Sequence, residues 1–581
     1  MPEAKIKWRP TIVVDCETVG GDLLNPRTGA RVCMASTCDE ELQTRIYYLP
    51  EQLAEVCRVL ADPRTDKCYH NSRLDLRMLA ASGVSKIGGS THDTLIILRL
   101  LSGERRVGLK YAAAKYFGDS IPESEMAKGM FKRKKKIKDE TGEEMPPGVM
   151  ALPKTERETY ALFDVTETMK LFYYLRNGIR GKLVAVYQNE LALIPIVHKM
   201  EDRGVKINLT TLDAFLAGSR SVCSRQKRTL LETAGIEKPG SPQHISNVIK
   251  TRFKPPVVRL SPKTGQVKTD ESSLRDMGLE WSDDLLMWRR HQKLVSTYYT
   301  AIKERAVDGI LYADFLPWTA RTGRFSSKHP NLQNIPTAAR RVFIPRPDHV
   351  FISFDYEQIE MRLAAHYSEE PDMLEAFRVG RDLHRETAQL IFQKEDVSKE
   401  ERKQGKVVNF ASIYGISGAQ LAMMLSGIRR TASREAQEYL NAMWEKWSEL
   451  RALSARLAMT LRAQGFIESV YGRRFYPDKN EESKLVNYLI QGTAADVIKF
   501  AMTRLDVLFK AHHAEDRVYW LMQIHDELLF EVHHSIAVEK FASDAAATMA
   551  EKKMFLLPLP VSVTLRRNNW AEEGEKIDEK I

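Results

Sequence analysis

The chain is expected to be a multidomain protein of mixed α/β and α+β class, and three observations predict this. Its 581 residues exceed what one ordinary hydrophobic core organises. Three short apolar runs of β character, at 11–14, 350–354 and 520–524, each lead directly into acidic residues. The stretch from about 186 to 307 is instead periodic as helix, with Leu191, Ile194, Val197 and Met200 at three-residue steps and Gly204 as a stop. Ser282 is the expected cap of a later long helix in this stretch, and residues 434–464 read as one long amphipathic helix ending at Gly465.

Composition narrows the function classes only modestly. The apolar and charged fractions, 43% and 28%, are those of a soluble globular chain. Lys and Arg number 87 against 77 Asp and Glu, for a net charge of +10 and a pI near 9.0. This excess suits a polyanionic partner without establishing one. The six cysteines form no zinc-type pairs, and their sparsity suits buried thiols in a reducing compartment. The N-terminus carries no apolar signal region and no run reaches membrane-spanning length, so a cytoplasmic location without membrane association is expected. There is no internal repeat of short period.

The first run reads as a buried strand ended by Asp15-Cys16-Glu17. Acids two apart on a strand face the same side. Alone, this pattern is as well explained by a solvated strand end. Two further elements change the reading. Asn71-x3-Asp75 opens a helix, and Tyr160-x3-Asp164 shares one helix face. Asp15, Glu17, Asp75 and Asp164 can hold two Mg²⁺ ions, with Tyr160 orienting or helping to activate a water. This set, in this order, is similar to the three motifs of DnaQ-like 3′–5′ proofreading exonucleases. The resemblance covers residues 1–185 and implies a ribonuclease-H-like domain acting on the 3′ end of single-stranded DNA. The segment 128–153 holds a basic run at 131–138 followed by turn residues; it reads either as a solvated loop or as a clamp on single-stranded DNA.

The second and third acidic segments are Asp355-Tyr356-Glu357-Gln358-Ile359-Glu360 and His525-Asp526-Glu527. Carboxylates at the ends of two adjacent strands make a rigid pair of oxygen ligands, suited to two divalent cations in a phosphoryl transfer. Between them Arg402, Lys406, Phe410 and Tyr414 recur every four residues. Each step turns a helix by about 400°, so the stripe drifts about 40° per step and spans about 18 Å, enough to follow a nucleotide from phosphates to base. An amphipathic helix with a basic face explains the stripe alone, but less well beside two carboxylates that need a phosphate ligand. Thr322 to Pro336 is rich in turn residues and presents Arg324, Asn331, Gln333 and Asn334. Such donors reach minor-groove acceptors shared by all base pairs, although a polar loop with internal hydrogen bonds is the plain alternative.

Together these segments closely resemble the motifs of family A DNA polymerases. The resemblance implies a right hand: thumb 186–310, palm 311–384 and 465–581, fingers 385–464. It implies Asp355, the Tyr356 carbonyl and Asp526 as metal ligands, with Glu527 supportive and Lys406 as proton donor. It implies Gln358, Glu360, His384, Arg402, Lys406, Phe410 and Tyr414 as dNTP contacts, with Glu360 crowding the ribose 2′ position. Arg324, Asn331, Gln333, Asn334, Asn487, Gln491 and His525 would contact DNA. Two departures stand out: Glu357 where the family usually has Ser, expected to turn towards a basic neighbour, and Ser483 where it commonly has Arg. The implied function is template-directed extension of a primer by dNTPs with proofreading. Mg²⁺ would serve both sites, two per site, with Mn²⁺ as a substitute. Expected partners are primer–template DNA and a replisome's helicase-primase and single-strand binding protein, with the chain monomeric. The chain starts at the exonuclease region, so no 5′ nuclease is expected, which points to a phage-type replicative enzyme. The competing readings are a single-subunit RNA polymerase, and a nuclease or DNA-binding factor with an inactive polymerase domain.

Overall fold

The computed structural model describes residues 4–19, 29–120, 137–138, 144–145, 152–255, 257–261, 264–425, 433–478, 480–550 and 554–577. The basic run at 131–136 lies outside them.

The first sheet contains β1 (Thr11–Val19), β2 (Arg31–Cys38), β3 (Thr44–Tyr48), β4 (Asp66–Tyr69) and β5 (Thr91–Asp93), in the order β3-β2-β1-β4-β5. The β1, β2 and β3 strands pair antiparallel, and β4 runs parallel to β1 and β5. Parallel neighbours need crossover connections, which the helices Leu53–Ala61 and Ser72–Ala81 supply. The helix Lys154–Leu175 covers the sheet with Ala161, Val165, Met169 and Phe172, all buried.

The Asp15-Cys16-Glu17 segment does not end β1 but lies inside it, because β2 pairs with β1 as far as Val19↔Arg31. The parallel pairing to β4 stops at Val13↔Cys68. Beyond that point one edge of β1 has no strand partner among the described residues, and the Cys16 amide donates to Asp75 Oδ1 at 3.2 Å instead.

In the helical middle, Leu183–Arg203 buries Leu193, Ile194, Val197 and Met200, and Gly204 stops it at φ +55°. Ser282 is not a cap: the helix Ser282–Lys293 begins at it, and its hydroxyl donates to the Leu274 carbonyl at 3.3 Å.

The second large sheet is antiparallel throughout. It comprises β6 (His349–Tyr356), β7 (Val518–Ile524), β8 (Glu527–His533), β9 (Val561–Arg566) and β10 (Glu575–Ile577), in the order β7-β8-β6-β9-β10. Residues 525 and 526 join β7 to β8, so Asp526 sits in the turn and Asp355 pairs with Glu527. The helix Leu485–Ala511 is largely buried behind this region. The expected single helix 434–464 is two, Ser433–Lys446 and Ser448–Gln464, broken at Trp447. Trp447 takes a non-helical backbone (φ −113°, ψ 67°) and is fully buried, so the break turns its indole into the core. Among the described residues no helix is long and apolar enough to cross a membrane.

Candidate active sites

Register places Asp355 beside the turn that carries Asp526. The strands β6 and β8 are hydrogen-bonded neighbours, and the Tyr356 amide donates to the Asp526 carbonyl at 3.3 Å. Tyr356 is buried and its hydroxyl donates to the Met549 carbonyl at 2.8 Å, which leaves its backbone beside the acids. The turns carry unusual backbone. Gln358 and His525 have φ of +52° and +55°, a left-handed conformation that costs non-glycine residues energy and clusters at functional sites. Solvent reaches Asp355, yet its carboxyl is pushed up to about 7. Desolvation by the surrounding floor is the first cause, then the charges of Asp526 and Glu527. Asp526 is raised as well, chiefly by burial. An acid group held short of neutralising charge in this way is a donor set that fits divalent cations.

A cavity of about 370 Å³ opens beside Asp526, lined by Arg324, Gln333, Gln358, Glu360, Lys406, Phe410, Tyr414 and His525, with Ala494, Ala495 and Ile498 as part of its wall. The helix Lys399–Tyr414 supplies the stripe. It starts with a capping box of Ser398 and Glu401 and ends at Gly415. Gly415 has φ +62°, and a Cβ there would stand 2.2 Å from the Ser483 carbonyl oxygen. Gly405 allows a second close approach, since its Cβ would lie 2.2 Å from the His384 carbonyl oxygen. That contact brings His384 to the stripe, with ring centroids 6.1 Å from Phe410, itself 5.9 Å from Tyr414. Lys406 Nζ lies 5.8 Å from the Phe410 centroid, and Arg402 Nε donates to Asp382 at 2.6 Å. Burial pushes His384 down to about 4, so its ring is neutral at pH 7. The Asn409 amide lies 2.9 Å from His384 Nδ1. With Nδ1 accepting, Nε2–H is the ring's donor.

Glu360 is held from two sides. Arg324 donates to one carboxylate oxygen and the Tyr414 hydroxyl to the other. Gln491 also hydrogen-bonds Tyr414. Gln333 donates to Gln523 Oε1 at 3.1 Å, and Gln523 donates to the His525 carbonyl at 2.5 Å, which ties the turn-rich segment to the acidic hairpin. Gln523 carried no recognisable sequence signal. Asp355, Tyr356, Asn331, Asn334, Asn487, Gln491, His384 and Arg402 do not line the cavity. Asn331 and Asn334 are exposed, and Asn487 Oδ1 is buried without a partner among the described residues. The exposed Glu357 acts on two groups: its charge raises Asp355 and acts on Arg362, whose Nε donates to the Glu357 carbonyl at 3.1 Å. Ser483 is exposed and serves as the packing partner of Gly415.

In the first domain the carboxylate oxygens of Asp15, Glu17 and Asp164 lie within 4.8 Å of one another. Asp75 stands beside this trio, outside that limit, on the Cys16 amide. Desolvation is the first cause that pushes Asp15 up to about 7 and Glu17 to about 8, and mutual repulsion adds to it. Asp75 and Asp164 are raised too, again by burial first. The Lys110 ammonium pairs with Asp164 and lies 4.0 Å from the Tyr160 ring centroid. Such a trio calls for cations, and the site fits a divalent metal. Two supporting residues went unread. Lys110 has no local signal. Asp93, whose carboxylate accepts from the amides of Asn71, Ser72, Leu95 and Ile96, was legible as a capping acid two residues before the apolar run 95–98.

The profile described as DNA polymerase family A matches residues 212–572, and the one described as 3′-5′ exonuclease matches residues 3–180. DNA polymerase I of Rhizobium leguminosarum is 31% identical over 559 residues, 90% of this chain and 52% of its own. DNA polymerase I of Pseudomonas aeruginosa is 30% identical over 545 residues, 88% of this chain and 57% of its own. The chain thus spans about half the length of these curated relatives. Its fold is similar to that of the POL domain of Pol1 from M. smegmatis, solved in complex with DNA primer-template and dNTP, at a TM-score of 0.79 and 24% identity over 96% of this chain and 95% of that one. The chain belongs to DNA polymerase family A and carries a 3′-5′ exonuclease domain.

Proposed function

We propose that the protein extends a DNA primer 3′-hydroxyl with dNTPs on a template and removes mismatched 3′ ends by hydrolysis. The observation that carries this reading is the convergence of Asp526 and the Lys406–Phe410–Tyr414 stripe on one cavity, with Asp355 paired to Glu527 next to Asp526, in a chain that also holds the Asp15–Glu17–Asp164 trio. Asp355, the Tyr356 carbonyl and Asp526 would hold divalent ions at the first site, and Asp15, Glu17, Asp75 and Asp164 at the second. Mg²⁺ or Mn²⁺, when bound, would supply charge stabilisation for phosphoryl transfer.

The chain's own residues do the rest. Arg402, Lys406 and the His384 Nε2–H bind the triphosphate, and Lys406 gives a proton to departing pyrophosphate. Phe410 packs on the sugar, and Glu360, fixed by Arg324 and Tyr414, leaves no room for a 2′-hydroxyl. Gln333, Asn331, Asn334, Asn487, Gln491 and His525 hold the duplex, while Glu527 supports the acid pair. At the second site Tyr160 orients the attacking water. The thumb, palm and fingers divide at about 310, 384 and 464. The intact exonuclease acids support a replicative, phage-type role over repair, with Mg²⁺ as the working ion.

The test is a labelled primer–template with Mg²⁺, with and without dNTPs, using the parent and an Asp15→Ala/Glu17→Ala variant. Extension with dNTPs, and shortening without them that the variant loses, is expected. No extension by a folded parent would reject the polymerase assignment.

A further inference from the structure

The helix Ser72–Ala81 carries its chemistry and its anchor on opposite faces. At about 100° per residue, Arg73 and Arg77 lie about 40° apart, and Asp75 is about 200° from each. Asp75 faces β1 and the Cys16 amide. The arginines face the helical middle. Arg73 Nη1 donates to Glu201 Oε1 at 2.5 Å and lies 3.2 Å from Asp314 Oδ1. Arg77 donates to Glu201 Oε2 at 3.0 Å and to Asp202 at 2.6 Å. The side chains of Arg73, Arg77, Glu201 and Asp314 are 5%, 4%, 1% and 8% exposed. Glu201 Oε1 also accepts from the Phe315 amide at 2.9 Å, and the His198 ring Nε2 bonds the Arg73 carbonyl at 2.7 Å. One carboxylate therefore bridges two guanidinium groups four residues apart and is itself pinned by backbone.

Buried ion pairs are weak evidence for stability, but arginine forks on a carboxylate fix direction. The direction fixed here is the rotation of the helix about its axis. A carboxylate about 6 Å from that axis moves about 1 Å for a 10° rotation, a displacement worth about 100-fold at a reacting centre. We propose that Arg73, Arg77 and Glu201 are positioning residues of the exonuclease site, with Glu201, outside that domain, setting the rotation that presents Asp75. Asp314 extends the anchor to the strand pair Asp314–Leu316 and Ser326–Lys328, two residues from Arg324. The inference rests on the reading of Asp75 as a metal-holding acid.

The test uses the full chain. Glu201→Gln keeps the size and the acceptor for Phe315 but removes the charge; Arg77→Lys keeps the charge but not the fork. Mn²⁺ affinity of the exonuclease site is read by electron paramagnetic resonance in an Asp526→Ala background. The kcat and KM for a labelled single-stranded oligonucleotide, primer extension with Asp526 intact, and the thermal midpoint are measured alongside. Expected for Glu201→Gln are Mn²⁺ binding weaker by roughly tenfold and kcat lower by roughly 100-fold, with KM and extension within about twofold. Arg77→Lys should shift the same quantities less, and serves alone if Glu201→Gln does not fold. Unchanged Mn²⁺ affinity and kcat in the folded variants would overturn the inference. So would hydrolysis and extension falling together with the midpoint, the mark of a structural cluster only. A parent that binds Mn²⁺ but hydrolyses nothing would reject the proposed exonuclease activity, while the Mn²⁺ affinities still decide the positioning role.

Discussion

Replacing Lys499 by Met should unsettle, from behind, the wall of the cavity beside Asp526. Glu190, Arg473, Asp496 and Lys499 form a buried four-charge cluster of zero net charge. Their side chains are 1%, 7%, 1% and 1% exposed. Lys499 donates to Glu190 at 2.6 Å and Arg473 to Asp496 at 2.7 Å, while Arg473 also reaches Glu190. Ala494, Ala495 and Ile498, on the helix that carries Asp496 and Lys499, line the cavity. At an effective dielectric of about 20, a pair 2.6 Å apart attracts by about 6 kcal/mol, most of it offset by desolvation. Lys499→Met leaves the cluster one negative charge in excess, and Glu190→Gln leaves it one positive charge in excess. Each should cost about 3–5 kcal/mol. The double variant keeps the Arg473–Asp496 pair and is neutral, so it should cost less than the sum by about 2 kcal/mol or more. Calorimetric melting should show each single variant lower by about 6–10 °C, at about 2 °C per kcal/mol for a unit this large, with the double variant recovering part of the loss. Primer extension at the growth temperature should follow the same order. Single variants within a degree of the parent, or a double variant at the plain sum, would refute the reasoning.

Two further outcomes are expected. In the folded chain Asp15 and Glu17 titrate at about 7 and 8 rather than 3.8 and 4.5, with burial first among the causes. Between about pH 4 and 8 the folded state keeps protons that the unfolded chain has released, so the cluster's contribution is full below about pH 4 and is lost as pH rises through 7 to 8. In EDTA, Asp15→Asn should therefore gain on the parent in thermal midpoint from pH 5 to pH 8, and Mg²⁺ should raise the parent more at pH 8; a constant difference would count against the charge reading. Glu360→Ala removes the carboxylate that Arg324 and Tyr414 hold and, on the proposed role of Glu360 in crowding the 2′ position, should raise ribonucleotide incorporation relative to dNTP on the order of 100-fold. Unchanged discrimination in steady-state incorporation would place the gate elsewhere.

The features legible from residue order alone were local in origin. Helical spacing put Arg402, Lys406, Phe410 and Tyr414 on one stripe, and Tyr160 with Asp164 on another, because side-chain direction repeats every 3.6 residues wherever a helix forms. Apolar runs leading into acids placed Asp355 and Asp526 near strand ends, and matched a family whose profile spans the polymerase region. Strand pairing was not visible in the same way: β1 continues through Asp15 and Glu17 only because β2 happens to pair that far. Nor was the break at Trp447, where burial of one indole overrides a continuous helical pattern. Only the tertiary structure could join Lys110 to Asp164, Glu190 to Lys499 and Arg73 to Glu201, pairs separated by 54, 309 and 128 residues. Such pairs leave no periodic trace, because a buried charge is tolerated for the partner it meets in space, and chain position carries no information about that partner.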